Sequence, residues 1–170
     1  MKKVFLIFTF AIFAWGVSAQ KFALIDMEYI LKNIPAYEMA NEQLEGISKK
    51  WQAEVEAIQQ KAQNLYKTYQ ADLVFLSPEM KTKRESEIVA KEQEAQELKR
   101  KYFGADGELF KKRESLIKPI QDEIYNAIKQ LSEEKGYHAI IDRASAMSII
   151  FASPKIDVSA EVLEKLGYSK

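Results

Sequence analysis

Residues 73–79 read Leu73-Val74-Phe75-Leu76-Ser77-Pro78-Glu79, a helix stop followed directly by a helix start. A proline disfavours helix in the residue before it, so a first helix is predicted to end near Leu76. Ser77 can cap free N–H groups, Pro78 lacks the N–H that a first helical position leaves unpaired, and Glu79 favours the positive helix end. So short a break predicts an antiparallel helical hairpin with its tip near residues 74–79.

Both sides of this break have the periodicity of long helices. Apolar residues recur at steps of three and four before the break and largely at steps of seven after it, as in the narrow seam of a coiled coil. When the two stretches are paired about the break, apolar residues meet, and Trp51 falls opposite Tyr102. The sequence therefore predicts a hairpin arm over residues 36–118, roughly 60 Å long at the helical rise per residue.

The sequence on either side of the arm predicts short strands. Three apolar runs, at residues 21–26, 137–142 and 147–151, are typical of strands covered on both faces. Residues 20–35 and 119–170 are accordingly predicted to form a β-rich body. The predicted fold class is α+β and mostly α.

Two glycines are predicted to stop helices in this body. Gly136 is predicted to end the second long helix. A short last helix is predicted over residues 157–166, with Gly167 as its stop.

The predicted body buries little surface per residue. The chain has no cysteine, so disulfides and Cys-bound metal are excluded and oligomerisation is the remaining way to stabilise it. Unpaired strand edges also need partners. We expect several subunits to build one shared β core from these apolar residues: Phe22, Leu24, Ile25, Ile140, Ile141, Ile149, Ile150 and Phe151.

Residues 1–19 have the pattern of a secretory signal peptide. Two lysines precede an apolar run that is shorter than the about 20 residues of a membrane span, and the small residues Ser18 and Ala19 follow. Cleavage after Ala19 predicts a soluble exported protein that begins at Gln20, an uncleaved anchor being the less favoured alternative. Removal of Lys2 and Lys3 leaves 23 basic against 25 acidic residues.

Composition excludes several classes of function. The absence of cysteine removes thiol nucleophiles and iron–sulfur clusters, and a single histidine, His138, argues against multi-His metal sites. Lys plus Arg equals Asp plus Glu at 25 each, without the basic excess of a nucleic-acid binder. No phosphate loop, nucleophile elbow or metal-ligand spacing occurs, so we expect neither an enzyme nor a cofactor. A hydrolase using Asp26 or Asp142 is an alternative without a completed site.

Apolar and aromatic residues near the tip are candidate contacts for a partner. Val74 and Phe75 are predicted to form an exposed apolar patch, and Tyr66 and Tyr69 add aromatic surface nearby. The alternative is that the apolar run mainly completes the seam between the two helices.

A second candidate surface surrounds two glycines of the arm. Gly104 and Gly107, assigned to mid-helix, are interpreted as a hinge, with close helix packing as the alternative. The basic residues around them suit acidic partners or anionic lipid headgroups, unless they are only a solvated face. They are Lys99, Arg100, Lys101, Lys111, Lys112 and Arg113.

In this order, the elements resemble the Skp/OmpH family of periplasmic chaperones. The resemblance covers Gln20–Lys170 and rests on six features: the secretory signal, the Ala23–Met27 strand, the Asn33-Ile34-Pro35 step, the charged hairpin, the Gly136–Asp142 strand and the closing Val162–Leu166 helix. It implies a jellyfish-like homotrimer in which a small β-barrel carries three hairpin tentacles around a cavity. It also implies an ATP-independent holdase that keeps unfolded outer-membrane proteins from aggregating. The alternative is a structural coiled-coil spacer or adaptor of the envelope.

The chain departs from the family in its charge. Well-known members are strongly basic, whereas the expected mature chain has slightly more acidic than basic residues. The resemblance therefore does not carry over electrostatic client capture or a lipopolysaccharide site.

Overall fold

The computed structural model describes residues 21–145 and 149–168. It is mostly helical with one small sheet, as the sequence predicts. The elements in chain order are β1 (Phe22–Ile25), α1 (Met27–Lys32), α2 (Pro35–Asp72), α3 (Pro78–Phe103), α4 (Glu108–Lys135), β2 (Ala139–Asp142), a 3-10 turn (Pro154–Ile156) and α5 (Ser159–Lys165). The chain divides into two units: Ile34–Glu123 forms one, and the described residues before and after it form the other. The arm predicted over residues 36–118 lies inside the first of these, here called the hairpin unit; the other is called the body.

The sheet of the body has two parallel strands. β1 pairs with β2 along its whole length, with Phe22 opposite Ala139. On the other side of β1, Leu24 forms an isolated parallel bridge with Asp157. β1 is therefore central, and its last three residues are buried, whereas β2 alternates between exposed and half-buried residues. Within one chain, β2 is therefore not covered on both faces, unlike the last three residues of β1.

The third predicted strand is wrong over the part that the structure describes. Residues 149–151 lie outside any strand, and Ile150 and Phe151 are almost fully exposed. The rest of the predicted strand, Met147 and Ser148, lies outside the described residues. A strand needs a hydrogen-bonding neighbour as well as an apolar pattern, and the described part of the chain provides none here.

Apolar side chains from β1, α1, α4 and α5 form the core of the body. The second half of α4 contributes Ile124, Ala127 and Leu131, whose steps of three and four place them on one helix face. At the edge of this core, two ion pairs join α4 to α5: Lys135–Glu161 at 3.0 Å and Lys165–Glu134 at 2.7 Å. The most deeply buried large side chains are Ile30, Ile124, Val158 and Val162.

Both helix stops predicted for the body are confirmed. α4 ends at Lys135, and Gly136 adopts a φ of 69°, the left-handed conformation that favours glycine after a helix. The predicted last helix is present as α5, which ends ahead of Gly167.

Helices α2 and α3 pack antiparallel along one seam in the hairpin unit. The rings of Trp51 and Tyr102 stack with 4.6 Å between centroids and 1° between planes, which confirms the predicted pairing. Nearer the tip, the Tyr69 hydroxyl donates to Glu85 at 2.5 Å. The buried seam residues are Leu44, Val55, Ala62, Ile88, Ala95 and Tyr102.

The tip begins earlier than predicted. α2 ends at Asp72 rather than near Leu76, so residues 73–77 form the connection. The start of α3 is as predicted: Pro78 is its first residue, and the Ser77 side chain accepts a hydrogen bond from the N–H of Met80 at 3.3 Å.

The placement of Gly104 and Gly107 in mid-helix is wrong. α3 ends at Phe103 and α4 begins with Glu108, so the glycines lie in the break between two helices. A Cβ on Gly104 would overlap the carbonyl oxygen of Arg100, and one on Gly107 would lie 2.8 Å from the carbonyl oxygen of Tyr102. Glycine is therefore required at both positions, because a side chain would collide with nearby backbone carbonyl oxygens.

Candidate functional site

The connection between α2 and α3 carries the most exposed apolar side chains of the described hairpin unit. Val74 and Phe75 are 84% and 85% exposed, and Leu73 is also exposed. The Phe75 N–H donates to the carbonyl of Asp72 at 2.8 Å, so the turn is hydrogen-bonded. The structure thus presents the predicted tip residues to solvent, while Leu76 is half-buried.

The two tyrosines predicted near the tip have different surroundings. Tyr69 is half-buried, and its hydrogen bond to Glu85 raises the pKa of the Tyr69 hydroxyl, because the carboxylate accepts from the protonated phenol. Tyr66 is half exposed, and its hydroxyl accepts from the Gln70 amide at 2.9 Å. Tyr69 therefore bridges the two helices, whereas Tyr66 remains accessible to a partner.

Tyr66 lines a groove of about 670 Å³ between α2 and α3. Its floor is made by Ala62 and Ala95, both buried seam residues. Its walls are polar and consist of Gln59, Gln63, Tyr66 and Lys67 from α2 and Glu92, Gln96 and Lys99 from α3. This groove was not predicted from the sequence. The available signal was a pair of alanines at seam positions between larger apolar residues.

The six basic residues flank the break between α3 and α4. All but Lys112, which is half-buried, are exposed. The ammonium of Lys101 lies 5.5 Å from the ring centroid of Tyr102, and Lys111 pairs with Glu108 at 3.5 Å. Arg100 and Lys101 lie in the last turn of α3, where positive charge complements the negative helix end. Part of this cluster is therefore engaged in stabilising the arm itself.

Charged side chains also meet where β1 and β2 end. Arg143 pairs with Asp26 at 3.1 Å and with Asp157 at 3.3 Å. Asp26 caps α1 by accepting from the Tyr29 N–H at 2.8 Å. The buried Ser159 hydroxyl donates to Asp157 at 2.6 Å. These carboxylates hold neighbouring segments together, and within the described residues no His, Cys, Asp and Glu side chains are grouped to hold a metal ion.

Asp142 also has a structural role. Its carboxylate accepts from the N–H groups of Met27 and Ala144, each at 3.1 Å. Burial acts to raise the pKa of Asp142, but hydrogen bonds from Met27, Ser145 and Ala144 outweigh it, so the pKa lies below its ordinary value. Neither Asp26 nor Asp142 is therefore left free for the hydrolase alternative.

The eight residues assigned to a shared core fall into three groups: buried, half-buried and exposed. Leu24 and Ile25 are buried within this chain. Among the described strands, β2 has β1 as its single neighbour, so the other edge of β2 is open within the described residues. Ile140 and Ile149 are half-buried, and exposed apolar surface is contributed by Phe22, Ile141, Ile150 and Phe151.

These observations define a mostly helical protein with a long antiparallel hairpin, an exposed apolar tip and a small sheet with an open edge. The family model described as outer membrane protein (OmpH-like) matches residues 21–166. The chain belongs to this family, and the resemblance read from the sequence is confirmed.

Individual relatives agree with this assignment. A chaperone protein Skp from Yersinia enterocolitica is 26% identical over 153 residues, which cover 89% of this chain and 88% of that protein. A chaperone protein Skp from Photorhabdus luminescens is 27% identical over an alignment of 179 positions, which covers 98% of this chain and 99% of that protein. Both are named as chaperones, a non-enzymatic class, in agreement with the expectation that this chain is not an enzyme.

A solved structure shares the fold. The crystal structure of an OmpH-like outer membrane chaperone from Caulobacter crescentus CB15 matches with a TM-score of 0.68 at 15% sequence identity, and the match covers 89% of this chain and 86% of that chain. None of the helices among residues 21–145 and 149–168 is both long enough and apolar enough to cross a membrane.

Proposed function

We propose that the protein is an ATP-independent holdase chaperone that binds unfolded outer-membrane proteins in the periplasm and prevents their aggregation. The observation that carries the proposal is the tip, where Val74 and Phe75 are exposed on an arm whose other surface is largely charged and polar. Contiguous exposed apolar residues rimmed by polar ones mark interaction sites. Membership of the OmpH-like family supports this class of partner.

The tip chemistry suits such clients. Outer-membrane β-barrels carry an outward-facing apolar band, which an unfolded chain exposes to water. The tip side chains cover only a small apolar area at a time, so each contact is weak. A holdase without nucleotide works in this way, because weak contacts repeated on several arms add up and release remains possible.

Several arms require several chains, and we propose a homotrimer as the working form. The trimer number comes from the family resemblance. The exposed apolar residues Phe22, Ile141, Ile150 and Phe151 and the open edge of β2 support association of the bodies. Export by the predicted signal, with cleavage near Ala19, supports a periplasmic location.

We propose further roles for the helix break at residues 104–107 and for the basic residues around it. The break at residues 104–107 is proposed as the point where the arm bends, since the continuous helical ladder is interrupted there. The six basic residues around it are proposed as short-range contacts for acidic client segments or anionic lipid headgroups. Salt screens such contacts, so they add to apolar binding without replacing it.

An aggregation assay with a matched control tests the tip. A denatured outer-membrane β-barrel protein is diluted from urea, and light scattering is recorded without nucleotide in the presence of each variant. We expect the wild-type chain to suppress scattering and Val74→Ser/Phe75→Ser to lose at least about half of that effect, because two exposed apolar side chains are removed. Val89→Ser/Phe110→Ser alters the same residue types, 48% and 46% exposed away from the tip, and should behave like wild type.

Two outcomes contradict the proposal. A correctly folded wild-type chain that leaves scattering unchanged favours the spacer or adaptor alternative. Equal suppression by the tip variant and its control removes the tip from client binding.

A further inference from the structure

The groove between α2 and α3 has a chemistry different from that of the tip. Its walls carry the primary amides of Gln59, Gln63 and Gln96 above a floor made by Ala62 and Ala95. We propose that this groove binds an extended segment of unfolded polypeptide through the peptide groups of that segment. The inference rests on the proposed chaperone function and names the part of the client that the arm recognises.

The first support is that the groove amides have no partner of their own. Within the described residues, the side-chain amides of Gln59, Gln63 and Gln96 make no hydrogen bond, although each offers donors and an acceptor. Two other glutamines of α2 differ in this respect: Gln52 donates to Glu56 and Gln60 donates to Asn64, both at 3.1 Å. The three groove amides are therefore available to a client, whereas Gln52 and Gln60 bond to neighbours on their own helix.

The second support is the spacing of the groove side chains along α2. Gln59, Gln63 and Lys67 recur at four-residue steps, which rise by about 6 Å each in a helix. An extended polypeptide repeats the orientation of its peptide groups every two residues, about 6.7 Å apart. Because flexible side chains absorb the small difference, one row of α2 can meet successive peptide groups of an extended client.

The third support comes from Tyr66 and the floor. The Tyr66 hydroxyl accepts from Gln70, so its own proton is available to a client carbonyl. The floor positions hold alanines, which leave room for client side chains that point inward from an extended segment. The groove volume of about 670 Å³ is in the range of protein ligand sites, about 300–1,000 Å³.

Recognition of this kind does not depend on client sequence. Every peptide unit except that of proline offers the same N–H and C=O groups. The groove therefore complements the tip. The tip binds apolar side chains of the client, whereas the groove binds peptide groups that are not yet hydrogen-bonded in a sheet. A folded β-barrel has no such unpaired backbone, so binding here ends as the client folds.

Replacement of the amides by a side chain of similar length tests the inference. The groove variant is Gln59→Met/Gln63→Met/Gln96→Met, since methionine and glutamine have similar helix propensities and methionine has no amide. The control variant is Gln52→Met/Gln60→Met/Gln93→Met, which adds the same apolar groups at exposed positions of the same two helices outside the groove. Thermal unfolding first establishes that both variants are folded as stably as wild type.

Binding is measured by fluorescence anisotropy with a labelled, permanently unfolded polypeptide. We expect the groove variant to bind about tenfold more weakly than the control variant, as loss of several hydrogen bonds implies. In nuclear magnetic resonance spectra, the side-chain amide signals of Gln59, Gln63 and Gln96 should shift on addition of this polypeptide, while those of Gln52 and Gln60 stay in place.

Different results would contradict the groove inference and the proposed chaperone function. If the wild-type chain does not suppress aggregation of a denatured β-barrel, the chaperone function itself is wrong. If it does suppress aggregation, but the groove and control variants bind within about twofold of each other and the groove amide signals do not move, the groove inference is overturned. A short extended peptide that binds equally well when alternate amides are N-methylated overturns it too.

Discussion

Arg143 joins three segments that are far apart in sequence. Its guanidinium contacts Asp26, which precedes α1, and Asp157, which precedes α5, while Arg143 itself follows β2. Asp142 and Arg143 are neighbours in sequence at the end of β2, where an ion pair between them would be the local expectation. The structure instead directs Arg143 to the other two acids and Asp142 to backbone N–H groups, because the parallel register brings the ends of β1 and β2 together.

Asp142→Asn tests this residue-scale arrangement. The change keeps the shape but removes the charge that strengthens the bonds from Met27 and Ala144, so the free energy of unfolding at pH 7 should fall by about 1 kcal/mol. The pKa of Asp142 is lower in the folded chain than its ordinary value of 3.8, so the carboxylate stabilises the fold fully above pH 3.8. This stabilisation is lost as the pH falls through the lower folded value.

Urea denaturation at several pH values provides the measurement. The stability difference between wild type and Asp142→Asn should shrink as the pH falls below 3.8. Asp122→Asn, at an exposed position on α4, is the control and should differ little from wild type at any pH. A difference for Asp142→Asn that is constant with pH would contradict the assigned hydrogen bonds.

Helix breaks shape the hairpin at the scale of its elements, and the two breaks have different causes. At the tip, Ser77 and Pro78 start a new helix through local chemistry that a sequence displays. At residues 104–107, the chain leaves its helix because Gly104 and Gly107 approach the carbonyls of Arg100 and Tyr102. A glycine in a helical pattern is consistent with either a weak point or a break, so the sequence alone did not distinguish them.

Alanine substitutions at glycines should act in opposite directions along the arm. Gly46 lies inside α2, and an added Cβ meets nothing within 4 Å, so Gly46→Ala should stabilise the chain by about 0.5–1 kcal/mol. Gly104→Ala and Gly107→Ala force backbone atoms apart and should each destabilise it by about 1–2 kcal/mol. Urea denaturation compares the three, and a stabilising Gly104→Ala would show that close approach does not determine the break.

At the scale of the whole molecule, exposed apolar residues on the body accompany an incomplete sheet. Ile150 and Phe151 are almost fully exposed, and β2 lacks a second neighbour among the described strands. Apolar residues without cover in one chain are typical of surfaces that another chain covers. These exposed residues therefore support the proposed association of bodies.

Charge placed on this surface should separate the subunits. Native mass measurement of the wild-type chain should give three times the subunit mass, and Ile150→Glu/Phe151→Glu should give monomers, because burial of unpaired charge is costly. Val89→Glu/Phe110→Glu places the same charges on exposed positions of the hairpin unit and should leave the mass unchanged. A wild-type chain that is monomeric at every concentration would contradict the shared core.

Most of the hairpin could be predicted because its signals are local. The pairing of Trp51 with Tyr102 follows from the apolar periodicity, and their stacked rings confirm this pairing. The exposed tip followed from the apolar run next to Pro78 for the same reason. The groove was missed because it depends on which faces of α2 and α3 meet around Ala62 and Ala95, and this becomes visible only when both helices are placed.

By itself, the amino-acid sequence determined the long helices, the start of α3, the helix stop at Gly136 and the resemblance to the family, since each rests on chemistry within a few neighbouring residues or on their order. Only the tertiary structure decided that residues 149–151 lie outside any strand and that the helix is interrupted at residues 104–107. It also decided that three glutamine side chains line one groove without a hydrogen-bonding partner among the described residues. The physical reason is that strand pairing, backbone approach and groove formation depend on atoms that the fold brings together.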